Sequence, residues 1–442
     1  MSQDNSLCFT SELHLVQQSS DTRPEHTLPR LNQHFNFTTE ISPGSGYYVT
    51  METYLVGGAV RDKLLNRPTQ DRDWVVTGAT VQEMLDLGFV QVGKDFPVFL
   101  HPDTHEEYAL ARTERKTHKG YHGFECFASP EVTLEQDLQR RDLTINAMAE
   151  DSDGHLIDPY NGQQDLLNGI LRHVSEAFAE DPVRILRIAR FAARYARQNF
   201  HVAHSTNKLM RKMVAAGEVD SLVAERCWAE TRKALEETDP VRYFQVLRGC
   251  GALAVVFPEI DRLYPDQKNH DPHGHAHEPD IYKVLQKTLD NKWPEPRRAI
   301  IRFAILMVGL YQHTGDRDTI VALCDRLRIP NEYRQLALTA VKIYQTLLQN
   351  EFKANARDIL GLIEKCDGLR KPEQFKSALL VCRLLPDLKH YCNTFDELPV
   401  ILDQCLEIHA RSINTEGLQG KQIGEALHKA RLKLINEKLR TE

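Results

Sequence analysis

No stretch of the 442 residues approaches the ~20 consecutive apolar residues that a membrane helix requires. The N-terminus lacks a basic start followed by an apolar run, so no signal peptide is read there. Nine cysteines are scattered along the chain and none forms a CxxC pair. That argues against a zinc finger or a disulfide framework and points to a reducing, cytoplasmic compartment. An excess of positive charge is also missing: 55 Lys and Arg face 62 Asp and Glu, for a formal net charge of −7. A general nucleic-acid coat is thereby disfavoured, while a local basic track for one RNA is not. No internal repeat is visible. What remains is ordinary for a globular chain, 41% apolar and 26% charged, at a length that implies two to four packed units.

Residues 1–50 are polar, rich in Ser, Thr, Asn and Gln, and read as a disordered extension. At Met51 the character changes. Thr53–Gly58 reads as a short strand ending in two glycines, and Ala59–Leu65 as the start of a helix. Asp73–Val76, Val98–Leu100 and Glu107–Arg112 are further strand candidates. From about residue 160 the apolar period is helical, as in Ile185, Leu186, Ile188, Ala189 and Ala192. A small α/β head thus precedes a long helical remainder.

Three features of the head carry chemistry. Gly57-Gly58 lies between strand and helix, where a backbone without side chains lets a phosphate approach a helix N-terminus; Arg61, one turn on, is placed to reach a triphosphate. Asp71 and Asp73 are two apart on a strand and so share a face, which suits Mg²⁺ together with substrate phosphate oxygens. Arg140, Arg141 and Asp142 combine cations for phosphate with an acceptor for a ribose hydroxyl. Each has a plainer reading alone: a turn, a solvated strand end, a capped helix start. Their order and spacing favour the chemical one. Farther on, Glu180, Arg184, Arg187 and Arg190 recur at helical spacing and are expected to share one face.

The stretches Leu55–Asp62 (LVGGAVRD), Asp71–Asp73 (DRD) and Arg140–Asn146 (RRDLTIN) resemble the first two motifs of class II tRNA nucleotidyltransferases, within the DNA polymerase beta superfamily. Asp158–Leu166 resembles that family's hinge motif, Glu180–Phe191 (EDPVRILRIARF) its fourth motif and Ala224–Glu230 its fifth. The resemblance implies an α/β nucleotidyltransferase head, with a mixed sheet of about five strands and helices, followed by an all-α neck, body and tail. The implied boundaries are 51–160 for the head, 161–265 for the neck, 266–405 for the body and 406–442 for the tail. It implies addition and repair of the 3′ CCA terminus of tRNA from CTP and ATP, with Mg²⁺ on Asp71 and Asp73. Gly58, Arg61, Arg141 and Asp142 would bind nucleotide, with Arg187 and Arg190 facing its triphosphate. Asp181 and Arg184 would read the base edge in place of a template, supported by Glu180. Asp accepts from the exocyclic amine that C and A share and U lacks, and Arg donates to ring nitrogens and carbonyls.

Glu114–Phe124, with two glycines amid polar residues, matches a loop which the family needs for the switch from C to A addition. In many relatives the body carries an HD phosphohydrolase site whose His-Asp pair follows the segment equivalent to Arg302–Leu306. Here Met307, Val308, Gly309 and Leu310 stand there, so the ligands are absent and the body is expected to serve as tRNA-binding scaffold. His270, His273, His275 and His277 fit no regular zinc spacing and read as a solvated loop. Lys421, Lys429, Arg431 and Lys433 resemble the family's tail, which holds the tRNA elbow by its phosphates. The partners implied are tRNA, CTP and ATP, and no membrane. Three alternatives remain open: an enzyme adding only CC or only A, a bacterial poly(A) polymerase sharing the head, and a catalytically dead RNA-binding protein. The run Gly93–Val98, with one base and one acid, favours CCA addition over the polymerase.

Overall fold

The computed structural model describes residues 37–39, 49–69, 71–92, 97–116, 124–264, 279–288, 297–348, 352–414 and 418–441. The 270–277 histidines, the Gly93–Phe96 run and the centre of the Glu114–Phe124 loop lie outside them.

Alternating apolar residues build the head around one mixed sheet. Its strands are β1 (Phe37–Thr39), β2 (Val49–Val56), β3 (Asp73–Thr77), β4 (Val90–Gln91), β5 (Val98–Leu100) and β6 (Glu107–Leu110). A separate antiparallel hairpin, β7 (Arg112–Lys116) and β8 (Phe124–Ala128), precedes the last sheet strands, β9 (Ala149–Glu150) and β10 (Leu156–Ile157). The order is β10-β9-β2-β3-β6-β5-β4, with β1 added antiparallel to β2. Only β3 and β6 run parallel within the sheet. It is therefore larger than the five strands expected. The end of the expected extension differs as well: Phe37–Thr39 pairs with Val49–Met51, so ordered structure begins before Met51. Val75 and Val76, adjacent on β3, enter two different clusters, as the pleat requires.

Three short helices serve the head: α1 (Gly58–Leu64), α2 (Val81–Asp86) and α3 (Leu134–Gln139). Threonines with a reciprocal partner three residues on, Thr80 with Glu83 and Thr133 with Gln136, start α2 and α3 as capping boxes. The chain then becomes helical: α4 (Gly162–Leu167), α5 (Val183–Arg194), α6 (His204–Ala215), α7 (Ala224–Glu236), α8 (Pro240–Cys250), α9 (Ala252–Val256) and α10 (Pro258–Asp261). A two-residue parallel pair, β11 (Ile170–Leu171) and β12 (His201–Val202), ties the start of this region together. The remainder holds α11 (Asp280–Lys287), α12 (Arg297–Thr314), α13 (Asp318–Arg326), α14 (Asn331–Leu348), α15 (Ala356–Lys365), α16 (Pro372–Arg383), α17 (Cys392–Glu407) and α18 (Lys421–Thr441).

One continuous apolar core runs from α5 to Ile435 of α18. It also takes in Val60, Leu143, Ile145 and Met148 of the head, so the head is anchored to the first helices by burial rather than by a loose linker. Residues 36–442 accordingly cluster as one compact unit. Among the described residues no helix is long and apolar enough to cross a membrane.

Candidate active site

β2 delivers the chain to Gly57, which adopts φ +69° and precedes α1. A Cβ at Gly57 would stand 2.8 Å from Nη1 of Arg141, so the position needs glycine for its backbone and for the guanidinium packed on it. Register places Val56 opposite Asp73, which sets the first residue of β3 beside the glycine turn. The strand begins at Asp73, and Asp71 lies in the irregular segment before it. Both acids nonetheless line the same cavity, of about 850 Å³. Arg72 between them turns away toward Glu106, at 3.8 Å. Burial raises the Asp73 carboxyl above its ordinary range; the Arg141 guanidinium opposes this and the charge of Asp71 adds to it. Among the described residues, neither Asp71 nor Asp73 accepts a hydrogen bond or forms an ion pair. Two open carboxylates with no protein donor are a fitting set for a hard cation such as Mg²⁺.

The turn after α3 shapes the facing wall. Asp137, fully buried, accepts from Arg140 at 2.9 and 3.1 Å and from Arg141 at 3.3 Å. Burial pushes its carboxyl up, but the two guanidiniums win and hold it below the usual range. Asp142 accepts from Asn146 Nδ2 at 3.0 Å and from Arg187 Nε at 2.8 Å. Against burial, Arg187 and the Asn146 amide hold the Asp142 carboxyl far below its usual range. Oδ1 of Asn146 in turn accepts from Arg61 Nη1 at 2.5 Å. Arg61 is 3% exposed, also meets Asp62 at 2.9 Å, and lies over the Phe191 and Tyr195 rings. Expected to reach for the triphosphate, it lines the cavity with its side chain buried and donating to Asn146. The hinge motif supports this turn: Asp165 accepts from Thr144 at 2.7 Å, and a Cβ at Gly162 would stand 2.3 Å from the Thr144 carbonyl.

The third wall is α5 with α7. Arg184, Arg187, Arg190 and Arg194 all line the cavity. Glu180 does not share their helix: it ends a 3₁₀ turn, Glu176–Glu180, and α5 starts only after Pro182, a residue suited to the edge of a helix and not to its interior. The expected stripe of four is thus corrected to three of its members plus Arg194. Asp181 is gripped by Arg226 of α7 through both oxygens, at 3.1 and 2.7 Å, and accepts from the Val183 amide at 3.1 Å. Arg184 donates to the Ala177 carbonyl at 3.1 Å. Arg190 pairs with Glu230 at 2.6 Å, and Glu237 holds Arg194 at 2.7 Å. Arg190 is 6% exposed, whereas the Arg187 side chain is 39% exposed and more accessible to a ligand.

The reading of the sequence assigned no role to Arg112, Asn146, Arg194, Arg226, Glu230 and Lys233, all of which line the cavity. A signal existed for part of this set: Arg226, Glu230 and Lys233 recur at i, i+4 and i+7, one face of α7. In all, ten Arg and Lys face five Asp and Glu around the cavity, so a chain of net charge −7 concentrates its positive charge here.

Outside the cavity, Met307, Val308 and Leu310 of α12 are at most 1% exposed, and a Cβ at Gly309 would meet Ile281 at 2.5 Å. No metal ligand occupies that stretch. On α18, Lys421, Lys429 and Lys433 are exposed. Arg431 is not free for tRNA in the way expected: it donates to the Cys405 and Ile408 carbonyls at 3.1 and 2.8 Å, closing the C-terminal end of α17. Among the described residues, Asp151, Asp153 and His155 form an acidic triad near β9 and β10 that could take a cation; it does not line the cavity.

Residues 53–172 match the family described as the poly A polymerase head domain, and residues 199–264 match that described as the probable RNA and SrmB-binding site of polymerase A. The chain is 50% identical over 409 residues to a Multifunctional CCA protein of Thioalkalivibrio sulfidiphilus, covering 88% of this chain and 98% of that one. It is 52% identical over 349 residues to the protein of the same name from Laribacter hongkongensis, covering 75% and 84%. Its fold is similar to that of the Bacillus stearothermophilus CCA-adding enzyme solved with CTP, at a TM-score of 0.60 and 21% identity over 88% of this chain and 89% of that one. The Thermotoga maritima CCA-adding enzyme solved with tRNA is similar at a TM-score of 0.59 and 22% identity, over 88% of each chain.

Proposed function

Since the chain belongs to the family of Multifunctional CCA proteins, we propose that it adds and repairs the 3′ CCA terminus of tRNA from CTP and ATP, releasing pyrophosphate, in the cytoplasm. The observation that carries this is the meeting, in one cavity, of the open Asp71–Asp73 pair with the arginines of α5. Asp71 and Asp73 would hold Mg²⁺, which supplies activation of the attacking 3′-hydroxyl and neutralises the leaving pyrophosphate. Arg141 and Arg187 bind the triphosphate, and Arg190, ion-paired behind them, sustains the positive field of that wall. Gly57 and Gly58 keep side chains out of the nucleotide's path.

Selection of the base falls to Asp181 and Arg184. The bidentate grip of Arg226 orients Asp181, whose carboxylate is an acceptor for the amine common to C and A. Exposed Lys421, Lys429 and Lys433 would contact tRNA phosphates near the elbow. The body is scaffold: buried apolar residues at 307–310 give no basis for metal-dependent phosphodiesterase or phosphatase activity there.

The test is to incubate pure protein and Mg²⁺ with tRNAs ending before C74, C75 or A76 and each nucleoside triphosphate singly. The expected result is CMP on the first two and AMP on the third, then arrest. CMP only, or AMP only, would reassign it as a partial enzyme. Runs of AMP would make it a poly(A) polymerase, and no incorporation an RNA-binding relative.

A further inference from the structure

Arg302 is among the largest side chains fully buried in the protein, 2% exposed, on α12 far along the chain from the cavity residues. An isolated buried cation is costly, so its compensation must be accounted for. Its Nη1 donates to the carbonyls of Leu235 at 2.8 Å and Glu237 at 2.7 Å, and its Nε to Thr288 Oγ1 at 2.9 Å. One turn earlier on α12, Arg298 Nη1 donates to the intervening carbonyl, Glu236, at 3.1 Å. Three consecutive carbonyls at the end of α7, orphaned by helix geometry and at the negative end of its dipole, are thus closed by two guanidiniums of another helix. Burial, and then the like charge of Arg298, pull the Arg302 guanidinium down to about 10, against the attraction of Asp239; it remains charged at neutral pH.

The end of α7 is also where the cavity wall is tied. Glu237, whose carbonyl Arg302 holds, uses its side chain to grip Arg194 at 2.7 Å and approaches Arg190 at 3.6 Å. One helix face further back are Arg226 on Asp181, Glu230 on Arg190, and Lys233 in the cavity lining. We propose that Arg302, aided by Arg298, is a positioning residue for the nucleotide cavity: the body fixes the end of α7, and through Glu237 and α7 it fixes the arginines and the aspartate that receive the nucleotide. This rests on the cavity being the nucleotide site, as proposed above. It gives the body a part in selecting and holding CTP and ATP, beyond that of a tRNA scaffold.

Full-length Arg302→Met keeps the buried volume and removes the donors; Arg298→Ala removes the less buried donor and guards against misfolding of the first variant. At a temperature where each is fully folded, KM for CTP and ATP should rise about tenfold in Arg302→Met and about threefold in Arg298→Ala, with KM for tRNA unchanged, because small displacements of positioning groups are felt at the reacting centre. Hydrogen exchange of residues 224–237 should quicken in both while that of α14 does not. A lower Tm with nucleotide KM and α7 exchange unaltered would reduce the two arginines to packing and overturn the proposal. Should Arg302→Met fail to fold, an unchanged nucleotide KM in Arg298→Ala overturns it alone. Should the wild type incorporate no nucleotide, the functional reading falls by itself, and α7 exchange still decides whether the clamp exists.

Discussion

α5 carries four arginines along Val183–Arg194, and α18 carries six Lys and Arg along Lys421–Thr441. On α5, Arg187, Arg190 and Arg194 are held by acids on other elements, and Arg184 by a carbonyl. On α18, Lys421, Lys429 and Lys433 stand in solvent, and Lys433 forms a 3.9 Å pair with Glu437 on its own helix. Fixed cations can discriminate, because their donors are aimed before the ligand arrives. Solvated lysines supply charge without direction, which suits a phosphate backbone of any sequence. On the function proposed, the same composition would serve recognition in one helix and attraction in the other, with the partners of each side chain deciding which.

The sharpest test of the fixed region is at its acids. Asp71→Ala or Asp73→Ala should lower CMP and AMP incorporation by about a thousandfold or more while far-UV circular dichroism and Tm stay near wild type, since among the described residues these carboxylates hold no hydrogen bond or ion pair. Near-normal turnover by either would remove the metal assignment. Next comes Arg184→Ala, which should lower the C:U ratio of kcat/KM by about 1–3 kcal/mol, the worth of a good base-edge contact. A uniform fall for all four nucleotides would show that α5 supports the fold and does not read the base.

Asp142→Asn probes the preset pairing itself. Loss of the charge-assisted bond to Arg187 should cost about 1–3 kcal/mol of stability at pH 7. The sign follows from the depressed carboxyl: its contribution is present above the unfolded carboxylate value and is lost as pH falls through the lower folded one. The gap between wild type and variant, measured by urea unfolding, should therefore narrow with acid; a constant gap would contradict it. The smallest effect belongs to α18. Replacing Lys421, Lys429 and Lys433 with alanine should reduce the salt slope of tRNA binding by about 1 per lysine and leave nucleotide selection untouched. A change in the C:U ratio would erase the contrast between the two helices.

What could be read before folding depended on how local the determinant is. Asp71 and Asp73 are legible because they are two residues apart, and Gly57 because it directly follows the strand that pairs with the one Asp73 begins. Glu180 was misplaced although Pro182 was in plain view: helical spacing was extended across a residue that marks a helix edge. The pairs Arg190–Glu230 and Asp181–Arg226 are 40 and 45 residues apart, and nothing local announces them. Arg431 looked like its lysine neighbours until the end of α17 was found beneath it. Likewise, β1 is three residues in a polar segment, stabilised by pairing and not by any pattern of its own.

Gly309 is held as a glycine by its neighbour. A side chain there would run into Ile281 of α11, whose branched carbons lie 2.5 to 3.0 Å from where a Cβ would stand. Ile281 fills the space that a side chain at 309 would need. Placing an aspartate or histidine at 309 requires room to be cleared at Ile281, and a variant with either change alone carries a clash or a void, each costing about 1–3 kcal/mol. Packing therefore closes this stretch of α12 to a metal ligand introduced by any one substitution at 309.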